Sequence, residues 1–521
     1  MRSGTRISGV VAGSAILFVM TVAHAQGPGR TNANWPTVGA DAQRTSWMKN
    51  EIKLSAASMA QPGFRLLWTS KLENQPAQLN ALTQPLLLQN IISHKGFKAL
   101  AFVGGSADVV YAIDYDLNRV YWKQRLSTAT RARNATALCP GGLTSITRAT
   151  TVTPPGLPGA RGGPGGGPGG GGPVGGGGPG GRGPAPGGGQ APALNPRGLN
   201  MNNLPINNAV YAISGGGMLH FLNPHTGTDI QPPVRFLPAN AKAIGLISID
   251  SVLYVATSDG CGGAPNGMWA MDLGSEAKTI SSWQSDSGTV VGVTGPTFGF
   301  DGTIYVAAGT SVAVLEPKTL KRRTEARFPA ALTTAPVAFQ FKDRDFLAVG
   351  NSDGRVHLLE SKSGGLVPAG RSPEYGAATE SRQALATWDD PSGTRWVLAP
   401  SSTGVVAFKL VESNGSFALE PGWRSLEFSS PVVSTILNDI VFSLVSGLPS
   451  ADSKTPVNDR LRGATGAVLV ALDARTGKEL WTSGKTITSF SPGIAPSAGD
   501  SQVYVVTHDG TLYAFGLPQE R

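Results

Sequence analysis

The sequence predicts an all-β protein, folded as an eight-bladed β-propeller of four-stranded antiparallel blades. Short β-branched strands followed by tight turns recur roughly every 40 to 60 residues. No segment keeps a helical period. The last repeat lacks its outermost strand, while an unassigned strand lies near the N-terminus. Four strands per unit at this spacing are typical of a propeller.

The recurring unit is clearest where two strands flank a turn. Residues 253–257 precede Ser258-Asp259-Gly260, and residues 503–507 precede His508-Asp509-Gly510. A tight reversal needs positive φ, which glycine, asparagine and aspartate tolerate best. We therefore interpret the aspartates of these turns as structural.

The number of blades follows from the strands that begin each unit, several of which come after a proline. These inner strands are predicted near residues 83, 146, 244, 294, 334, 381, 431 and 492. A seven-bladed ring is the alternative if residues 375–425 are wrongly divided. Pairing of the unassigned strand at residues 65–72 with the last unit would complete the eighth blade and protect its edge.

The N-terminus predicts export. Arg2 and Arg6 precede an apolar run over residues 10–22, and Ala23-His24-Ala25 fits a signal-peptidase site. The run is shorter than the roughly 20 residues of a membrane-spanning helix. We expect residues 1–25 to be a signal peptide and the mature protein to be periplasmic or secreted, with no transmembrane segment.

The rest of the chain divides around one low-complexity insertion. Residues 26–63 lead into a propeller of residues 64–518, and residues 519–521 form a C-terminal tail. Residues 154–200 are mostly Gly and Pro, with few apolar side chains to bury, so we expect a disordered loop insertion there.

The charge and the cysteine content limit which kinds of partner and which kinds of cysteine site are expected. The net charge of +9 falls to about +4 without the signal peptide and insertion, and no basic patch is concentrated in sequence, so we expect no nucleic-acid partner. Cys139 and Cys261 lack C-x-x-C or histidine spacing, which disfavours a metal site. In an oxidising compartment such a pair favours a disulfide.

Residues 471–481, Ala-Leu-Asp-Ala-Arg-Thr-Gly-Lys-Glu-Leu-Trp, resemble the repeat of the pyrroloquinoline-quinone (PQQ) dehydrogenase propellers. Degenerate copies start near Tyr111, Phe221 and Trp269, and Asn34-Trp35-Pro36 resembles the N-terminal stretch of the same superfamily. The resemblance implies that Asp and Thr-Gly form the turn between the third and fourth strands. It also implies that the Trp docks between neighbouring blades.

The propeller geometry brings the two cysteines to one face. Cys139 falls in the loop before blade 2, and Cys261 falls between the second and third strands of blade 3. Both kinds of loop lie on the face that holds PQQ and calcium in the family, so a Cys139–Cys261 disulfide is predicted.

The resemblance also suggests cofactor ligands. Arg148 and Arg382 lie early in predicted inner strands, where two guanidinium groups would suit the carboxylates of PQQ. They would otherwise line a wet channel or pair with acids such as Glu380. The Glu, Asn and Asp calcium ligands, the catalytic Asp and the stacking Trp of the family have no matching positions in this sequence, so the catalytic residues are unknown.

Two functions remain open at this stage. The first is a non-catalytic module that binds a protein, polymer or envelope component, similar to the propeller of the outer-membrane barrel-assembly machinery. The second is a PQQ- and calcium-dependent dehydrogenase that oxidises an alcohol or sugar and passes electrons to an external cytochrome. In either case we expect a monomer.

Overall fold

The computed structural model describes residues 34–49, 51, 53–59, 61, 63–93, 96–126, 135–152, 206–363, 365–376, 383–428, 432–449 and 455–518. The predicted signal peptide, the Gly/Pro-rich insertion and the C-terminal tail lie outside these residues, so their assignments stay predictions.

The chain forms eight four-stranded antiparallel blades, which confirms the predicted fold and excludes the seven-bladed alternative. The strands of blades 1 to 4 are, from the centre outward: Leu86–Ser93, Gly96–Gly105, Val109–Asp114 and Arg119–Arg125; Ile146–Thr147, Val210–Ile213, Met218–Leu222 and Val234–Arg235; Lys242–Ile249, Val252–Ser258, Gly267–Asp272 and Ile280–Gln284; Thr297–Phe298, Ile304–Ala308, Ser311–Leu315 and Arg322–Arg327.

Blades 5 to 8 continue the same order. Their strands are: Val337–Phe341, Arg344–Gly350, Val356–Lys362 and Gly365–Arg371; Ala386–Asp389, Arg395–Ser401, Gly404–Ser413 and Ser416–Arg424; Val432–Leu437, Ile440–Val445, Val468–Asp473 and Glu479–Thr482; Ser497–Gly499, Gln502–Val506, Thr511–Gly516 and Arg65–Lys71.

Short elements decorate this ring. Parallel pairs join Ala149–Thr150 to the inner strand of blade 3, Trp47–Met48 to that of blade 7, and Thr334–Ala335 to Gln383–Ala384. The described helices are Ala56–Met59, Val457–Arg462 and the 3-10 turns Ile206–Asn208 and Cys261–Gly263. None of the helices in the described residues is long and apolar enough to cross a membrane.

The ring is closed by the N-terminal strand, as the sequence predicts. Arg65–Lys71 pairs antiparallel with Thr511–Gly516 and becomes the outer strand of blade 8. Because the first strand of the propeller thereby covers the edge of the last blade, backbone hydrogen bonds hold the two ends of the propeller together.

The hydrophobic core lies in layers between neighbouring blades. One buried cluster joins blades 3 and 4 through residues such as Tyr254 and Phe298, and another joins blades 6 and 7 through Trp388, Trp423 and Leu472. Since the faces of each sheet pack on the adjacent blades, side chains of the inner strands point between blades. What the inner strands turn toward the central channel is their free backbone edge.

An irregular stretch, residues 34–49 with Glu51, lies in this channel, and we call it the central segment. Trp35 exchanges two backbone hydrogen bonds with Leu87 of blade 1, both of 3.0 Å. In blade 2 the Arg148 N–H donates to the Pro36 carbonyl at 2.8 Å. The Thr37 hydroxyl donates to the carbonyl of Leu246 in blade 3 at 3.1 Å. Successive residues of the segment thus form hydrogen bonds with successive blades.

The other blades are reached in the same order. The N–H groups of Phe298, Ala338, Thr387 and Ile436, in blades 4 to 7, donate to the carbonyls of Ala42, Gln43, Thr45 and Ser46 at 2.7 to 3.0 Å. In blade 8 the Glu51 carboxylate accepts from the N–H and hydroxyl of Ser501 at 2.7 and 2.8 Å. The central segment therefore contacts all eight blades and pairs the edges that a channel would leave open.

Arg44 is the charged centre of this segment. It is only 1% exposed, and the neighbouring carboxylate of Asp41 stabilises its charge electrostatically. Its Nε donates to the Pro296 carbonyl, its Nη2 to the Gly245 carbonyl and its Nη1 to the Val38 carbonyl, at 2.8, 2.8 and 2.5 Å. Burial lowers the pKa of Arg44 to about 9, so the guanidinium stays charged at neutral pH. Carbonyl dipoles from blades 3 and 4 thus stabilise a buried cation.

The tryptophans of the outer strands lock adjacent blades. Trp423 of blade 6 donates from Nε1 to the Ala474 carbonyl in the turn of blade 7 at 2.8 Å. Trp122 of blade 1 makes the same bond to the Pro224 carbonyl of blade 2. A Cβ added at Gly477 would lie 2.5 Å from the Trp423 ring. The Thr-Gly of the repeat therefore leaves room for the tryptophan of the preceding blade, and the predicted docking is correct.

Gly477→Ala is expected to lower the free energy of unfolding by about 2 to 4 kcal/mol, because left-handed strain and overpacking against Trp423 add. Gly484→Ala is the matched control, since Gly484 also has positive φ but no atom lies near its missing Cβ. That control should lose only about 1 kcal/mol in urea unfolding. Equal losses in the two variants would contradict the docking explanation.

Candidate functional site

The central cavity opens on what we call the upper face, which carries the loops between blades and the turns between second and third strands. Its volume is about 180 Å³. Lining residues come from the beginnings of inner strands and the loops before them, including Thr83, Lys242, Thr294, Val433 and Ala495. The cavity therefore occupies the position on the fold where sequence reasoning located a ligand site.

The central segment closes the bottom of this cavity. Val38, Gly39 and Ser46 contribute to its lining. Gly39 has φ 72°, and a Cβ there would lie 3.3 Å from Arg44 and from the Thr294 methyl group. Because the segment also bonds to the surrounding inner strands, the cavity is blind, and a ligand must enter and leave by the upper face.

One wall of the cavity carries its charges. Lys242 and Asp259 form an ion pair in which each side chain is only 14% exposed. Beside them Cys139 and Cys261 form a disulfide with a Cα–Cα distance of 5.3 Å, as predicted. The Cys139 sulfur lies 3.9 Å from the Asp259 carbonyl oxygen. The disulfide thus attaches the loop bearing Leu138 to the turn bearing Asp259.

Most polar groups of the lining are engaged by the fold itself. The Ser258 and Thr144 hydroxyls donate to the carbonyls of Val290 and Ala243 at 3.1 and 2.9 Å. The Gln84 amide donates to the Pro496 carbonyl at 2.9 Å, and its oxygen accepts from the Gly39 N–H at 3.3 Å. These bonds hold the wall in place and occupy most of its polar groups.

Comparison with known proteins addresses the fold. A family model described as outer membrane protein assembly factor BamB matches residues 446–517, which contain the repeat of blade 7. Quinohemoprotein alcohol dehydrogenase from Comamonas testosteroni has a similar structure, with a TM-score of 0.55 at 13% identity over 94% of this chain and 82% of that one. The fold is the PQQ-repeat β-propeller.

A second solved structure supports the same conclusion about the fold. A europium-containing methanol dehydrogenase matches the PQQ-repeat propeller with a TM-score of 0.53 at 12% identity, over 93% of this chain and 98% of that one. No curated protein matches the sequence. At these identities the likeness concerns the architecture and leaves the activity to be argued from the site.

The described lining does not fit PQQ with calcium. PQQ carries carboxylates, but the single cation in this lining, Lys242, is already paired with Asp259. No aromatic ring is among the lining residues to stack on a quinone. Within the part of the chain that the structure describes, no three His, Cys, Asp or Glu residues are grouped to hold a metal ion. We derive no redox step for this site.

Neither of the two predicted arginines is among the described lining residues of the cavity. Arg148 is not among the lining residues, and its Nη2 donates to the Asn208 carbonyl at 3.0 Å. Burial lowers the pKa of Arg148 to about 10. Arg382 lies outside the described residues. Their assignment to a cofactor stays a prediction, and the position of Arg148 gives it no support.

The central segment is the part of the site that sequence reasoning missed. Asn34-Trp35-Pro36 was noticed only as a resemblance, without a location in the fold. The same resemblance also includes Gly39-Ala40-Asp41 and Arg44-Thr45, which lie in the stretch that bonds to the inner strands.

Proposed function

We propose that this protein is an exported PQQ-repeat propeller that acts as a binding or scaffold module for a protein of the cell envelope. The observation that carries the proposal is the position of its exposed apolar side chains. Leu426 and Leu138 are 62% and 57% exposed, the highest values among the large apolar residues described, and both lie in loops of the upper face. Leu138 also lines the central cavity, and an exposed apolar side chain beside a pocket is typical of a protein-binding site.

Two further features support a binding role. The disulfide, the central segment and the ring of inner strands preorganise the upper face, which lowers the entropic cost of association. The family model that matches residues 446–517 is described as an outer membrane assembly factor, which favours an envelope partner. The signal-peptide prediction places the mature chain in the compartment where such a partner would be met.

The experiment is site-specific photocrosslinking in cells, with a photoreactive amino acid at Leu138 and, as matched control, at Leu117. Leu117 is 54% exposed in the turn between third and fourth strands, on the opposite face. We expect a discrete adduct from position 138 and none from position 117. Equal crosslinking from both, or none from 138, would overturn the proposal.

The alternative function, a PQQ- and calcium-dependent dehydrogenase, is supported by the architecture of the structural neighbours alone. Purified mature protein is melted with and without excess PQQ and calcium, and its quinone absorbance is recorded after gel filtration. We expect no change in melting temperature and no retained quinone. A raised melting temperature with retained absorbance would mean that the cofactor binds the folded state, in favour of the dehydrogenase.

A further inference from the structure

We infer that the central cavity is an anchor pocket for one neutral, ring-sized apolar group, carried as an uncharged side chain such as tyrosine or phenylalanine by the bound protein. The inference deepens the proposed function, on which it rests for the origin of that group. Its first basis is size. A dry cavity of about 150 Å³ lined by apolar side chains can bind benzene, and this cavity of about 180 Å³ has room for a substituted ring.

The second basis is the neutrality of the wall. Its one ion pair, Lys242 with Asp259, compensates its own charge. A charged ligand would lose its hydration on entering and would find no unpaired counter-charge among the described lining residues. The aliphatic groups of Ile244, Val290, Val293 and Val433 give the wall the character that suits an uncharged ring.

The third basis is that most polar groups of the lining already have hydrogen-bond partners; an exception among the described residues is the buried side-chain nitrogen of Asn80. The hydroxyls of Thr144 and Ser258 donate to backbone carbonyls of the propeller, as does the amide of Gln84. A ligand covered with hydroxyl groups, such as a sugar, would therefore compete for donors that already have acceptors. A group with an apolar body and at most one polar atom fits better.

The blind floor explains why a side chain, and not a continuous polymer, fills the pocket. Val38, Gly39 and Ser46 close the bottom, so a chain cannot thread through the ring. An anchor inserted from above would be enclosed by the walls while its backbone stayed at the mouth. Interface anchors that are enclosed in this way dominate binding energy in protein complexes.

The test uses p-cresol, the side-chain analogue of tyrosine, with p-toluate as its charged counterpart. Ligand-detected NMR titration of the mature protein should show saturable binding of p-cresol and at least about tenfold weaker binding of p-toluate. Val293→Trp in blade 4 and Ala495→Trp in blade 8 fill the cavity from opposite sides, and each should abolish p-cresol binding. Val367→Trp, on the outer strand of blade 5, is the control that should keep it.

A variant that removes one charge from the wall gives a test that does not depend on loss of binding. Asp259→Asn removes the negative charge beside Lys242 and makes the wall more positive, so this variant should gain binding of p-toluate by about tenfold or more. Thermal melting checks that each variant is folded. Equal binding of p-cresol and p-toluate to the wild type, or p-cresol binding retained in both folded tryptophan variants, would overturn the inference. Crosslinking from position 138 would still report on the proposed function, so the two failures are distinguishable.

Discussion

Replacing Arg44 with alanine is expected to lower the free energy of unfolding by about 3 to 5 kcal/mol, because three buried carbonyl oxygens lose a charged donor. The carbonyls belong to Val38, Gly245 and Pro296, so the loss loosens both the central segment and its attachment to blades 3 and 4. The midpoint of urea unfolding, followed by tryptophan fluorescence, measures the effect. Trp35, fully buried in the same segment, should also become accessible to an aqueous quencher.

Two controls separate this effect from the loss of a positive charge. Arg235→Ala removes an exposed arginine that donates to one carbonyl, that of Gly216, and should cost less than about 0.5 kcal/mol. Arg44→Lys keeps the charge but lacks the fork that reaches three separate carbonyls, so its stability should lie between wild type and Arg44→Ala. The assignment fails if Arg44→Ala and Arg235→Ala unfold at the same urea concentration.

Removal of the disulfide is expected to have the second large effect. The bond joins residues 122 apart, and closing so long a loop restricts the unfolded chain, with a typical contribution of about 2 to 5 kcal/mol. The double variant Cys139→Ala/Cys261→Ala should therefore unfold at lower urea. It should also lose crosslinking from position 138, because the loop bearing Leu138 is no longer tied to blade 3.

Treatment of the wild-type protein with a thiol reductant is the matched control for the double variant. Wild type treated with a thiol reductant should fall to the stability of the double variant, whereas the double variant itself should not respond. If reduced and oxidised wild type unfold alike, the disulfide does not stabilise the fold and its effect is confined to the mouth of the cavity.

Much of the fold could be predicted from the sequence because the patterns that indicate its strands and turns are local. Each blade repeats the same strand and turn chemistry, so the ring size could be counted, and inner strands predicted near residues 146 and 431 begin at Ile146 and Val432. The closure by Arg65–Lys71 followed from an incomplete last repeat. The disulfide followed once the cysteines were assigned to loops of one face.

The site was less accessible because it depends on long-range backbone contacts. Thr37 and Arg44 find acceptors more than 200 residues away, at Leu246 and Gly245, and no local pattern encodes such partners. Arg148 was placed in the channel on the assumption that inner-strand side chains point there. In the structure the Arg148 N–H bonds to the Pro36 carbonyl of the central segment, and its side chain turns to Asn208 of its own blade.

The contacts of the central segment also have a consequence for the order of folding. The segment precedes all eight blades in the sequence, yet its Glu51 bonds to Ser501, 450 residues later. The segment cannot complete its contacts until the last blade is present, because its bond to Ser501 closes a loop of 450 residues. We expect the chain to reach its native state only after it has been delivered whole, and truncation by a single C-terminal blade to leave a species that proteases recognise as unfolded.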